Sequence, residues 1–316
     1  MSHKMNFKII GLGEVLWDLL PSGRQLGGAP GNFAYHTHAL GANACVITRV
    51  GADDLGHEIR QRFEQQGIAD GTLQVDESAP TGTVTVTLSE NGHPNYLIHE
   101  NVAWDHLAVT PAALKAVREA DAICFGSLAQ RGEISRATIQ RLVTAAPANS
   151  LRVFDINLRQ KYFSREVIEQ SLRLANVLKL NDGELPFLAS VFDLTGSTQK
   201  QIETLAKHFS LQVVALTRGA AGSLLYQKGR WSDCPSVPIK IMDTVGAGDS
   251  FTAALVMGLL HQMDLDEINA LADEVARYVC SCAGATPPLP KSICERFNRQ
   301  PAATVSGDEL IAALRV

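Results

Sequence analysis

Residues 243–260 read DTVGAGDSFTAALVMGLL, and the rest of the chain is best read outward from this stretch. Gly246 and Gly248 flank Ala247, so the backbone can turn tightly there with its N–H groups free. An apolar run, Phe251–Leu260, follows at once and predicts a buried helix over Ser250–Leu260. A helix that starts at such a turn adds the positive end of its dipole, and together they make a seat for an anion. Asp249 stands in the first turn of that helix, beside the seat. A carboxylate does not bind phosphate, because like charges repel; it can accept a proton from a hydroxyl that attacks one. The plainer reading is an Asp that caps a helix after a glycine turn.

On either side, short β-branched runs alternate with helical patterns. Strands are predicted at Lys8–Gly13, Ala44–Val50, Ala122–Phe125, Arg152–Ile156, Val177–Leu180 and Gln212–Thr217. Helices are predicted near Asn32–Leu40 and at Leu55–Gln66, Ile134–Ala145, Arg165–Ala175, Gln201–Phe209 and Asp266–Ala283. This alternation implies an α/β fold, a mainly parallel sheet with helices on both faces. One region breaks the rhythm. Thr81–Leu88 (TGTVTVTL) alternates with period two, Asn91-Gly92 marks a turn, and Asn95–His99 continues as a second strand. Such a hairpin is not stable alone, so it packs on the rim of a cleft or on another copy of itself. With Glu14–Arg24 joined to it, residues 14–26 and 81–106 form a β lid. Residues 1–13, 27–80 and 107–316 then form a large α/β domain.

Composition narrows the partners. The chain has 316 residues, 46% of them apolar, enough for a large core. Its 28 basic and 33 acidic residues give a net charge of −5, so no basic field exists to attract a nucleic acid. Phe251–Leu260, the longest apolar run, is about half the roughly 20 residues of a membrane span. Glu14 and Asp18 interrupt the apolar N-terminal segment, which reads as a first strand and not a leader. Cys45, Cys124, Cys234, Cys280, Cys282 and Cys294 form no CxxC pair, which implies buried free thiols in a reducing, cytoplasmic setting. No GxxxxGKS or GxxxxGKT occurs, so a P-loop is excluded. Gly11-Leu-Gly13-Glu-Val-Leu16 begins like a dinucleotide fingerprint but lacks the third glycine, and the strand is expected to run on through it.

A second glycine cluster, Gly27-Gly28-Ala29-Pro30-Gly31-Asn32-Phe33-Ala34, precedes a helix and then Gly41 and Gly51. It serves either close backbone approach to a ligand or a tight strand-to-helix turn. Taken with DTVGAGDSF, it resembles the paired signatures of the PfkB carbohydrate kinase family, also called ribokinase-like. The resemblance covers essentially the whole chain. It implies a three-layer α/β/α fold with a mainly parallel central sheet and a small β-sheet lid. It also implies transfer of the γ-phosphate of ATP to a primary hydroxyl of a small sugar.

On that resemblance Asp249 is the general base, and the amides of Gly246, Ala247 and Gly248 take up charge on the transferring phosphoryl group. Asp18 matches the carboxylate that grips two sugar hydroxyls, with Gly28 and Asn32 beside it. Arg159, from FDINLR (Phe154–Arg159), meets sugar or phosphate oxygens, and Asn101 points into the site. Tyr96 either closes over the sugar or packs within the lid, while His99 reads as lid surface. Asn181 and Glu184 match an NxxE element in which Glu184 holds the water shell of Mg²⁺. Thr217, Gly219 and Gly222 match a turn along ATP, although Arg218 replaces a smaller residue. Gly284, within CSCAGA (Cys280–Ala285), borders the adenine, and Asp243 and Val245 supply oxygens to a K⁺ site.

NYLIHENVAWD (Asn95–Asp105) and FDINLRQKY look most like bacterial fructokinases, which implies fructose as substrate and fructose 6-phosphate as product. Trp104 stands where the pattern has a small residue, and it is expected to enlarge or cap the pocket. The alternatives are a kinase for ribose, a riboside or 2-keto-3-deoxygluconate, and a sugar-binding regulator without turnover. The marginal hairpin further implies a homodimer through the lid.

Overall fold

Alternate residues along each strand bury on opposite faces, and here both faces are apolar. The computed structural model describes residues 6–21, 23–88 and 94–297. Its first half contains β1 (Lys8–Leu12), β2 (Leu16–Leu20), β3 (Gly23–Gly27), α1 (Ala29–Ala39), β4 (Asn43–Gly51), α2 (Asp54–Gln65), β5 (Leu73–Asp76), β6 (Thr83–Leu88) and β7 (Pro94–Ile98). Then come α3 (Pro111–Arg118), β8 (Ala122–Phe125), α4 (Glu133–Thr144), β9 (Leu151–Asp155), α5 (Arg165–Leu174), β10 (Val177–Asn181), α6 (Leu185–Val191) and α7 (Thr198–Phe209). Last are β11 (Val213–Thr217), β12 (Ser223–Gln227), β13 (Arg230–Cys234), α8 (Ala247–Leu260), α9 (Leu265–Cys280) and α10 (Lys291–Phe297).

Nine strands form the main sheet in the order β13-β12-β11-β10-β9-β8-β1-β4-β5. All pairings from β11 to β5 are parallel; β12 and β13 add an antiparallel edge. Ile9, Val153, Val177 and Val213 pack with α1, α8, α9 and α10 on one face. Their neighbours Ile10, Phe154, Leu178 and Val214 pack with α3 to α7 on the other. Each such fully buried side chain contributes about 1.5–3 kcal/mol. The order reverses between β1 and β8, and at such a switch point the strand ends open a crevice.

The second sheet, β3-β2-β6-β7, is tied to the end of β4, where the Gly51 N–H donates to Thr81 Oγ1 (2.9 Å) just before β6. Asp53 fixes its approach: the N-cap of α2 accepts from Gly56 N–H (2.8 Å), Thr81 N–H (2.8 Å) and the Thr81 hydroxyl (2.6 Å). An N-cap of this kind is worth about 1 kcal/mol. Trp17 on β2 donates from Nε1 to Leu55 O (3.1 Å) and lies beneath the Arg24 and Arg62 guanidinium groups.

Several expectations need correction. β1 does not run on through Gly13; it stops at Leu12, Gly13 turns at φ 145°, and the chain enters the second sheet as β2. α9 stops at Cys280 and not Ala283, because the Cys280 carbonyl accepts the Met242 and Asp243 amides and the chain turns toward Gly284 at φ 79°. No disulfide joins the cysteines among the described residues, but Cys124 alone is buried and the other five are half-buried. Trp104 does not cap a pocket. It is 1% exposed, packed against Gly82 and stacked under Arg131 at 3.9 Å, which also binds Asp105. The β12–β13 hairpin is an addition, though Lys228 and Gly229, at φ 48° and 89°, carry its turn residues. Asn91-Gly92 lies outside the described residues. No helix among the described residues is long and apolar enough to cross a membrane.

Candidate active site

The turn before α8 is built as its glycines suggest. Gly246 caps the helix at φ 79°, a left-handed conformation that an L side chain disfavours. Ser250–Gly258 are buried throughout, so the sheet, α1 and α9 hold α8 fixed. Ala247 N–H makes one long bond to Thr244 O (3.3 Å), and Ser250 N–H begins the helical ladder on Gly246 O (2.9 Å). Among the described residues, the Gly248 and Asp249 amides have no acceptor, as expected in a first turn.

Asp249 Oδ2 accepts from Asn32 Nδ2 at 2.8 Å. This contact joins the two glycine-rich segments, since Asn32 is 5% exposed on α1 just after Gly28. Gly28 caps α1 at φ 105°, where a Cβ would come within 2.6 Å of Glu14 O. Burial and the nearby Asp155 carboxylate push the Asp249 carboxyl up to about 6, while Asn32, Lys179 and Arg159 pull it back. A carboxyl tuned near the operating pH is suited to take a proton from an alcohol.

Strand register puts Asp18, Val84, Val86, Tyr96 and Ile98 on one face of the second sheet. Burial pushes Asp18 up to about 6, opposed by Arg159. The Arg159 side chain is exposed, yet its charge acts to lower the carboxyls of Asp18, Asp249 and Glu14. Tyr96 is 56% exposed, and Gln160 Nε2 donates to its carbonyl (2.6 Å). Asn101, exposed at φ 57°, lies in the chain that leaves β7. His99 accepts or donates at Thr85 Oγ1 (2.9 Å).

After β10, Glu184 is 5% exposed and tightly held. Its Oε1 accepts from Leu158 N–H (2.9 Å) and its Oε2 from Asn181 N–H (2.8 Å), while Asn181 Oδ1 accepts from Glu184 N–H (3.0 Å). Thr217 ends β11, Gly219 opens a short turn at φ 53°, and Gly222 closes it at φ 86°. Arg218 turns away to Asp233 and to Ser223 O. Asp243 accepts from Val245 N–H (3.0 Å) and Gly284 N–H (3.1 Å), which ties the segment before α8 to the turn after α9. Among the described residues no cluster of three or more His, Cys, Asp or Glu side chains could hold a metal ion.

Sequence reading missed Glu14, Asp155, Lys179 and Thr252. A charged residue inside an apolar strand is the signal that was available for Asp155 and Lys179. Glu14 is 2% exposed, its Oε2 lacks a partner, and burial pushes its carboxyl up to about 7. It therefore binds a proton more tightly folded than unfolded, where 4.5 is ordinary. That stability is complete below the unfolded value and is lost as pH rises through about 7. From Glu14 alone the ligand-free protein should lose about 1 °C of Tm between pH 6.5 and 8. Scanning calorimetry checks this, and Glu14→Gln should flatten the slope; an unchanged slope in that variant would clear Glu14 of responsibility.

The family model for pfkB family carbohydrate kinases matches residues 23–292. The chain belongs to the PfkB carbohydrate kinases. It is 31% identical over 283 residues to the fructokinase of Klebsiella pneumoniae, covering 86% of this chain and 91% of that protein. Fructokinase-2 of Solanum lycopersicum is 30% identical over 311 residues, with 89% and 93% covered. The structure of an uncharacterized sugar kinase from Pyrococcus horikoshii in complex with ATP superposes with a TM-score of 0.78 at 26% identity, over 92% of this chain and 99% of that one. This PfkB kinase is thus an ATP-dependent sugar kinase with the ribokinase-like fold.

Proposed function

We propose that this kinase phosphorylates the primary hydroxyl of fructose to give fructose 6-phosphate, with Asp249 as general base. The Asn32–Asp249 contact beside the free amides of Gly248 and Asp249 carries this reading. The full-length fructokinases among its relatives favour fructose over other sugars. Asp18, Gly28 and Asn32 hold the sugar, Asp249 removes the hydroxyl proton, and the turn at Gly246–Gly248 receives charge on the phosphoryl group. Removing one such donor typically costs about 3 kcal/mol of transition-state stabilisation. Arg159 adds a cation, and Thr217, Gly219, Gly222 and Gly284 line the nucleotide.

Glu184 fits a divalent ion, since each buried oxygen spends one lone pair on an amide and keeps another for a metal-bound water. Asn181 fixes its orientation, and Mg²⁺ held there would neutralise charge on the phosphates. Asp243 suits K⁺ less directly: both carboxylate oxygens already accept amides, so Asp243 and Val245 would offer mainly carbonyls.

A coupled ATP-consumption assay over fructose, ribose, glucose, mannose, a riboside and 2-keto-3-deoxygluconate tests the substrate. Fructose should give the highest kcat/KM. A higher value for another sugar moves the assignment to it, and a sugar that raises Tm without ATP consumption makes the protein a regulator. Asp18→Ala should raise KM for the sugar about 10- to 100-fold, the loss of charge-assisted hydrogen bonds, and leave KM for ATP nearly unchanged. An equal loss for ATP contradicts the sugar role of Asp18.

The exposed Tyr96 and Leu97, 56% and 58% accessible on the edge strand β7, point to a homodimer through the lid. Light scattering at micromolar concentration should give twice the monomer mass, and a monomer refutes the arrangement.

A further inference from the structure

Beneath the anion-binding turn lies a buried ion pair for which the scheme above has no use. Lys179 Nζ donates to Asp155 Oδ1 at 3.2 Å, and the two side chains are 8% and 7% exposed. Asp155 Oδ2 accepts from Thr252 Oγ1 at 2.9 Å, and Thr252 lies three residues after Asp249 on α8. Lys179 Nζ sits 2.9 Å from where a Cβ on Gly248 would be, directly under the turn. A void of about 10 Å³, at the lower limit for one water, is lined by Asp155, Asp249, Thr252 and Cys124. Two carboxylates and an ammonium are therefore held against the first turn of α8.

Buried ion pairs seldom add stability over apolar residues of the same volume, because desolvation offsets the attraction. Their place under the reacting carboxylate points to another role. We propose that the Asp155–Lys179 pair is a positioning device for Asp249: Asp155 anchors α8 through Thr252, Lys179 fills the space left by Gly248, and their opposed charges set how tightly Asp249 holds its proton. This rests on the reading of Asp249 as general base. The charged and titratable groups facing Asp249 are Asp155 at the end of β9, Lys179 on β10, Arg159 after β9, Glu14 after β1 and Cys124 on β8. Of these, Asp155 acts to raise its carboxyl and Lys179 to lower it. Burial opposes the charge on Lys179, but Asp155, Glu184 and Asp249 outweigh it, so the ammonium persists.

The test is the pH dependence of kcat/KM for fructose with Mg-ATP, in the wild type, Lys179→Gln, Lys179→Arg and Asp155→Asn. The acidic inflection should move up by about one pH unit or more in Lys179→Gln and down in Asp155→Asn. Lys179→Arg, which keeps the charge, should return it toward the wild-type position. Opposite displacements from two adjacent residues are not produced by a general loss of packing. Each single variant decides by its own sign, so one that fails to fold leaves the other deciding. A folded variant whose inflection stays at the wild-type position overturns the proposal. A wild type that consumes no ATP with any sugar of the panel overturns the base assignment instead.

Discussion

Asp249→Asn should lower kcat by at least about 10²-fold, with sugar and ATP still bound at close to wild-type affinity. Asparagine keeps the shape of the side chain and an oxygen for Asn32 Nδ2, so the 2.8 Å contact survives. What it lacks is a group that can accept a proton. The loss therefore falls on the chemical step and not on ground-state binding. Steady-state kinetics with fructose and Mg-ATP, together with calorimetric titration of each ligand, separate the two. Turnover near the wild-type rate would take Asp249 out of the base role.

Gly246→Ala should be nearly as damaging, by a different route. Its φ of 79° costs an L residue about 1–2 kcal/mol, and its Cβ would come within 2.5 Å of Ala285 O and 2.8 Å of Ala285 Cα. Those are backbone atoms and cannot swing aside. The turn or the segment bearing Ala285 must shift, and with it the amides proposed to face the phosphoryl group. A loss of about 10²-fold in kcat matches the removal of one such donor. KM for the sugar should change little, because Asp18 and Asn32 stand on other elements. The measurement is kcat with Tm recorded alongside; full activity would show that the turn is not the seat of phosphoryl transfer.

DTVGAGDSF was legible because its chemistry is local. Glycine spacing, a following apolar run and one acid in the first turn are all set within a few residues, although α8 begins at Ala247 and not at the predicted Ser250. The main strands were legible for a similar reason: a strand buried on both faces is a short apolar run, as in Val177–Leu180 and Val213–Thr217. The edge hairpin β12–β13 was missed because polar residues such as Gln227, Arg230 and Asp233 blur its pattern. Gly13 was read as strand because its φ of 145° leaves no mark in composition.

What the amino-acid order determined on its own was the layered α/β frame, the hairpin strands and the glycine turn before α8, each fixed by periodicity or by the backbone freedom of glycine. Only the folded chain brought Asn32 to Asp249 and set Asp155 and Lys179 under the same turn. Such pairings depend on which strands become neighbours, and a hydrogen bond between residues 32 and 249 is invisible in one dimension. The proton affinity of Asp249 is decided by the same neighbours, through burial and the Asp155 charge.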